Sequence, residues 1–418
     1  MSPQSFLRRY RPDPALLTGA AFEQGPLAVG RGDVVGVVLM GLGGPSRPEE
    51  AVPFLYGRLM DPVEVDLRVP RWARRQAARA LAGRRGRALA RAFEMIGGGS
   101  PLRRHALEQA RALARRLDAR YGAATGATFR TYVAMRHGDP SMEAARAQME
   151  ADGVTKAVLL PLRPQFSSTT TGSALAYWRA LDADAGVPPW AETLVAEYAA
   201  HPRLVRALSE RIDEGLQRFP RAVRDRVHVL FVAPGAPRRP LAGHDDRYCC
   251  HLQATAQAVL AERGEPNRPS RLAFLTPLGA GRPLGPSVAD AIDDVADAGA
   301  PGLLVVPLSF VSDRVEAAFD LDVTARAQAA SAGVTDFEVT SGLNCHPLLV
   351  EALAECVGAR LRPAALVGGD GLATGLGPSL VPLPGRRSGA PCPVCERPIR
   401  VARWVTAPPP EVGQRPAA

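Results

Sequence analysis

The chain has 418 residues, with 51 basic against 42 acidic side chains for a formal charge of +9, and 46% of its residues are hydrophobic. That apolar content can bury a large core spread over two or three domains, which excludes bulk disorder. Lys156 is the single lysine, so arginine supplies the other 50 positive charges; with 40 Gly and 39 Pro, this reads as coding composition, and no nucleic-acid partner is expected.

Residues 1–31 are rich in Pro, Gly and Arg and are expected to form a loose N-terminal arm. Arg8, Arg9 and Arg11 are not followed by an apolar stretch of the kind a secretory signal needs. No uncharged apolar run approaches the length required to span a bilayer. A cytoplasmic location with reduced thiols is therefore expected. Beyond the arm, short runs that are hydrophobic throughout predict strands at Val34–Met40, Phe129–Met135, Lys156–Leu162, Val227–Ala233, Arg271–Leu275, Leu303–Leu308 and Phe337–Thr340. Segments of helical period separate them: Pro101–Arg120, Ser141–Asp152, His201–Phe219, His251–Arg263, Ser287–Ala298, Val315–Ser331 and Pro347–Leu361. Such alternation predicts an α/β protein with two doubly wound parallel-sheet halves, over 32–184 and 185–345. A helix over 346–363 should pack back on them, and 364–418 should be a Gly/Pro-rich tail. Within the first half, 53–93 sets Phe54, Leu55, Tyr56, Leu59 and Met60 before an arginine-dense helix. That pattern suits either a solvated helix face or an edge resting on an anionic membrane.

Ligands of doubly wound sheets sit at the carboxyl ends of strands, so the loops there carry the functional signal. Four stand out: Gly41-Leu42-Gly43-Gly44-Pro45, Ile96-Gly97-Gly98-Gly99-Ser100-Pro101-Leu102, Leu160-Pro161-Leu162-Arg163-Pro164-Gln165-Phe166-Ser167-Ser168-Thr169-Thr170-Thr171-Gly172, and Pro307-Leu308-Ser309-Phe310-Val311-Ser312-Asp313-Arg314-Val315-Glu316. Taken in order, with Ala134-Met135-Arg136, they resemble the ferrochelatase family, whose members insert ferrous iron into a porphyrin. The likeness runs from about Val34 to about Val357. It implies two Rossmann-like, chelatase-type domains related by a pseudo-dyad around a porphyrin cleft, with 53–93 as a lip facing the membrane.

The resemblance also implies site residues. Leu42, Gly43, Ser100, Arg136, Ser167, Thr169, Thr276, Phe310 and Arg314 fall at porphyrin-binding positions, and Asp313 and Glu316 at catalytic carboxylates, Glu316 also as a metal ligand. The family's catalytic imidazole falls on Pro234, which has no proton acceptor, and its second histidine falls on Arg314, which stays protonated. An aromatic wall of the family becomes Gly281-Arg282-Pro283. His137 stands where the family has tyrosine and is the candidate replacement base; His244 is a second. Some members hold a [2Fe–2S] cluster with three C-terminal cysteines and one internal one. Cys392-Pro393-Val394-Cys395 matches the start of that pattern, but Arg400 and Ser168 occupy the other two positions. Two ligands do not make such a cluster within one chain, so none is expected, and a shared cluster or zinc would need a second subunit. Cys249 and Cys250 are adjacent, and neighbours on a helix do not converge on one metal, so they are read as packing or surface thiols. The expectation is a ferrochelatase-like, porphyrin-binding protein with weak or absent iron insertion. The alternatives are an active enzyme using His137, a haem carrier or regulator of a paralogous ferrochelatase, or an α/β enzyme with another ligand. A homodimer is also a candidate assembly.

Overall fold

The computed structural model describes residues 1–22, 25–95, 98–236, 246–278, 283–314, 318–364, 380–383, 391–397, 399 and 403–406. Two four-stranded parallel sheets organise it. The first contains β2 (Val34–Gly43), β3 (Thr128–His137), β4 (Lys156–Pro161) and β5 (Ala191–Leu194), in the order β3-β2-β4-β5. The second contains β6 (His228–Ala233), β7 (Ser270–Phe274), β8 (Gly302–Pro307) and β9 (Asp336–Val339), in the matching order β7-β6-β8-β9.

Both faces of each sheet are covered, and side chains alternate between them. Val35, Val37 and Leu39 of β2 and Val229 and Phe231 of β6 enter one core common to both halves. Val38 and Met40 face a separate outer core, and Leu230 and Val232 face another. The helices Leu102–Leu117, Pro202–Leu216, Tyr248–Glu262 and Pro347–Gly358 supply the common core between the sheets. This two-faced burial is why each strand reads as an unbroken hydrophobic run.

The halves repeat one another in detail. Ser141 and Ser287 each cap a helix and bridge back to the edge strand, at Met135 and Phe274. His201-Pro202 and His346-Pro347 begin equivalent helices, each imidazole Nδ1 accepting an amide of the first turn (Arg203 at 3.2 Å, Leu348 at 3.3 Å). The flanking sequences, HPRLVRAL and HPLLVEAL, show the duplication directly.

The N-terminal segment differs from the expected loose arm. Helices Pro3–Arg9 and Pro14–Thr18 bury Phe6, Leu7 and Leu17, and β1 (Leu27–Val29) pairs in parallel with β10 (Leu361–Pro363). Pro and Arg here serve as helix starts and surface charges around four buried apolar side chains, the fourth being Phe22. The strands β1, β5 and β10 are not among the expected ones, being only three or four residues long. No described helix is long and apolar enough to cross a membrane.

Glu355, 2% exposed, joins the halves: it accepts from Arg120 at 3.1 Å and Arg203 at 2.9 Å. Burial alone would push its carboxyl up, but Arg203 and Arg120 hold it below the ordinary value. Glu355→Ala should therefore cost about 2 kcal/mol, reduced from the fully buried case because Arg203 is part exposed. A depressed carboxyl stabilises above its unfolded pKa and loses that contribution as pH falls through its lower folded value. Urea titrations should show the wild-type advantage at pH 7 and its disappearance below about pH 4.

Candidate functional site at the facing strand ends

In a 2-1-3-4 strand order the chain leaves the two central strands in opposite directions, which opens a crevice at their carboxyl ends. Here two such crevices face each other. The narrow gap between them, about 50 Å³, is lined by Gly41, Leu42 and Gly43 after β2, Leu162 and Arg163 after β4, and Ser309 to Ser312 and Arg314 after β8. Gly43 has φ +79°, and a Cβ there would stand 1.9 Å from the His137 carbonyl oxygen, so only glycine permits this turn. Register makes Leu42 and Pro234 equivalent, each one residue beyond the strand residue paired with Met135 or Phe274.

Two guanidiniums lie over the Phe310 ring, with Arg163 Cζ 5.9 Å and Arg314 Cζ 5.3 Å from its centroid. Burial lowers Arg163 to about 10, so it stays charged at neutral pH. Its Nη1 is buried and has no hydrogen-bond partner among the described residues. At the end of β6 the Tyr248 hydroxyl donates to the Pro234 carbonyl at 3.1 Å. The described residues lining the gap include no imidazole and no carboxylate.

Four of the expected residues thus come together: Leu42, Gly43, Phe310 and Arg314. Others are committed elsewhere. Arg136 is buried; its Nε and Nη2 donate to Asp61 Oδ2 at 3.1 and 2.7 Å, and it stacks on Tyr177 and Phe6. Ser167 and Thr169 bond one another at 3.0 Å beside Asp246, which also accepts the Ser168 and Tyr248 amides. Asp313 accepts from the Gly342 amide and from Asn344 Nδ2, both at 2.7 Å, so both its oxygens hold the loop after β9. Ser100 accepts the Leu102 amide at a helix start, and Thr276 is exposed past β7. Glu316, His244, Arg400 and the 281–282 part of the former aromatic wall lie outside the described residues.

His137 is also displaced from the gap. It lines a separate cavity of about 500 Å³ within the first half, with Phe54, Gly57, Arg136 and Tyr177. Its Nε2 lies 2.9 Å from Glu64 Oε2, and Arg58 pairs with the other carboxylate oxygen. Although burial opposes ionisation, Arg58 and His137 hold Glu64 down to about 2, so the carboxylate only accepts and the ring donates through Nε2. Burial, with Arg136 alongside, pushes the imidazole below its ordinary value, so it is neutral. Asp61, Glu64 and His137 are close enough for a shared cation, but Arg136 and Arg58 already neutralise both carboxylates.

The ferrochelatase family model matches residues 34–361. Ferrochelatase of Gloeobacter violaceus is 35% identical over 324 residues, covering 77% of this chain and 96% of that protein. That of Thermosynechococcus vestitus is 36% identical over 324 residues, covering 77% and 81%. The chain belongs to the ferrochelatase family. Membership gives it a ferrochelatase-like role in haem biosynthesis, for which the family's substrates are porphyrin and ferrous iron. Among solved structures, SirB from Bacillus subtilis with Fe3+ aligns with TM-score 0.43 and 11% identity, over 78% of this chain and 95% of that one.

Two further expectations drawn from the ferrochelatases change. Phe54, Leu55, Leu59 and Met60 are buried against Leu7, Val65, Ala78 and Ala82, so the segment is no exposed apolar lip. The large apolar side chains that do reach solvent here are Trp72 (81% exposed) and Met95 (65%), at either end of the arginine-rich helix Arg74–Met95. Second, Cys249 and Cys250 are not isolated packing thiols: their sulfurs meet those of Cys392 and Cys395. The tail's turn lies over the first turn of the Tyr248–Glu262 helix, where both neighbouring side chains reach it. Sequence reasoning singled out none of Arg163, Asp246 and Tyr248, of which Arg163 lay inside the quoted loop after a buried strand.

Removing Arg136 would leave the Asp61 carboxylate buried with Ser173 and amides alone. Arg136→Leu should lower stability by about 3–5 kcal/mol, read as a fall in the urea midpoint, while porphyrin affinity measured below that midpoint stays within twofold. A loss of affinity at unchanged stability would return Arg136 to the binding site.

Proposed function

We propose that the chain binds a tetrapyrrole through its carboxylates at the facing strand ends, and that iron insertion there is weak or lost. The unpaired Nη1 of Arg163 carries this reading, because a buried guanidinium donor without an acceptor suits a carboxylate group arriving from a ligand. Phe310, beside Arg163 and Arg314, adds an aromatic side chain to the gap of the kind a macrocycle packs against. At about 50 Å³ the gap is far smaller than a cofactor pocket of about 300–1,000 Å³. The two halves must part for a porphyrin to enter.

Insertion makes two further demands. Two pyrrole N–H protons must leave as the divalent cation enters, and the cation must approach the ring. By its resemblance to the family's loop, Pro234 stands where a neutral imidazole would accept protons. Two guanidiniums attract propionates but repel Fe2+. A missing general base alone removes a factor of about 10²–10⁴. A second reading keeps turnover, with His137 as base oriented by Glu64. The 2.9 Å contact favours it, while the placement of His137 in a different cavity weighs against it. Contact with an anionic membrane would rest on Trp72 and the exposed arginines of the Arg74–Met95 helix.

Protoporphyrin or haemin titrated into the protein should shift the Soret band, and Arg163→Leu should weaken binding about tenfold. No shift at all would point to another ligand. Anaerobic insertion of Fe2+ should be slow or absent and should rise when Pro234→His and Arg314→His are combined. Turnover at the rate of the family's active members, lost in His137→Ala, would establish the second reading.

A further inference from the structure

Cys249 and Cys250 open the Tyr248–Glu262 helix, and Cys392 and Cys395 belong to the tail some 140 residues later. Cys249, Cys250 and Cys392 are buried and Cys395 half-buried, all four as free thiols. Their four sulfurs lie within 4.8 Å of one another, and Cys250 Sγ is 3.4 Å from Cys395 Sγ. The tail pair sits on a tight turn. The Cys392 amide donates to the Arg397 carbonyl at 2.8 Å, and the Glu396 amide returns to the Cys392 carbonyl at 2.7 Å, with Glu396 at φ +60°. The Val394 and Cys395 amides point at the Cys392 sulfur. A turn that offers N–H groups to sulfur stabilises a thiolate, which is what a C-x2-C metal knuckle does.

We propose that Cys249, Cys250, Cys392 and Cys395 form a resident tetrathiolate site for one tetrahedral ion of the zinc class. Four thiolates about 2.3 Å from one ion stand about 3.8 Å apart, a spacing inside the 4.8 Å that bounds the sulfur set. A [2Fe–2S] cluster would place one pair of sulfurs on each of two irons and spread the pairs wider than this set, so the binuclear centre carried by some ferrochelatases does not fit. Binding releases the thiol protons and couples metal affinity to the fold of the tail. The ion would staple the tail to the second half, where Ile399 and Trp404 enter the common core and the Trp404 ring lies 4.5 Å from that of His201.

The full chain, purified anaerobically without added metal, should contain close to one zinc and no acid-labile sulfide. Exchange for Co2+ should produce the intense visible bands of a tetrahedral cobalt thiolate. Cys395→Ser, at the half-buried position least needed for folding, should cut metal content at least tenfold, whereas Cys345→Ser should leave it unchanged. Two irons with sulfide per chain, a metal-free wild type, or zinc retained in both variants would overturn the assignment. None of these readouts depends on porphyrin binding or turnover.

Discussion

Parallel strands cannot be joined by tight turns; every return crosses a face of the sheet, and it does so right-handed. In each half, the chain lays its second strand on one side of the first and its third on the other, giving the orders β3-β2-β4 and β7-β6-β8. At that reversal the outgoing segments part, and the carboxyl ends of the central strands are left uncovered. Four helices lodged between the sheets hold the two openings face to face. The gap, its arginines and the position of Pro234 all follow from this constraint on connectivity.

Two arginines give the gap its charge. Several guanidiniums elsewhere are paired with carboxylates: Arg136 with Asp61, Arg58 with Glu64, Arg120 and Arg203 with Glu355. Arg163 keeps a buried Nη1 without a partner among the described residues, as the Nε of Arg74 and of Arg146 do, and of these three it is the one that lines the gap at the topological switch point. The proposed recognition of a ligand carboxylate rests on this donor. The same positive lining that suits an anionic macrocycle opposes the arrival of a divalent cation. Binding and metal insertion therefore make opposite electrostatic demands on these loops.

The duplication extends past the sheets to the caps, through Ser141 and Ser287 and through His201 and His346, which makes the pair of halves one architecture used twice. What breaks the symmetry sits at the strand ends and in the tail. Leu42 in one half answers Pro234 in the other. The thiol set belongs to the second half alone, where the helix after β6 meets a turn from the far end of the chain.

The strand runs, the helices, the paired halves and the family were legible in the linear sequence, because two-faced burial imposes hydrophobic runs and the loop motifs are contiguous. So was the proline at position 234, a matter of residue identity. Folding alone decided where side chains from distant segments meet. Arg136 and His137 follow a strand like any cleft residue, yet Asp61 and Glu64, more than 70 residues earlier, draw them into a different cavity. Asp313 is taken up by Asn344. Two pairs of cysteines, of which only Cys392 and Cys395 have ligand-like spacing, become four only when the tail crosses the helix start. Local pattern records which face of an element is buried; it holds no record of which partner arrives there.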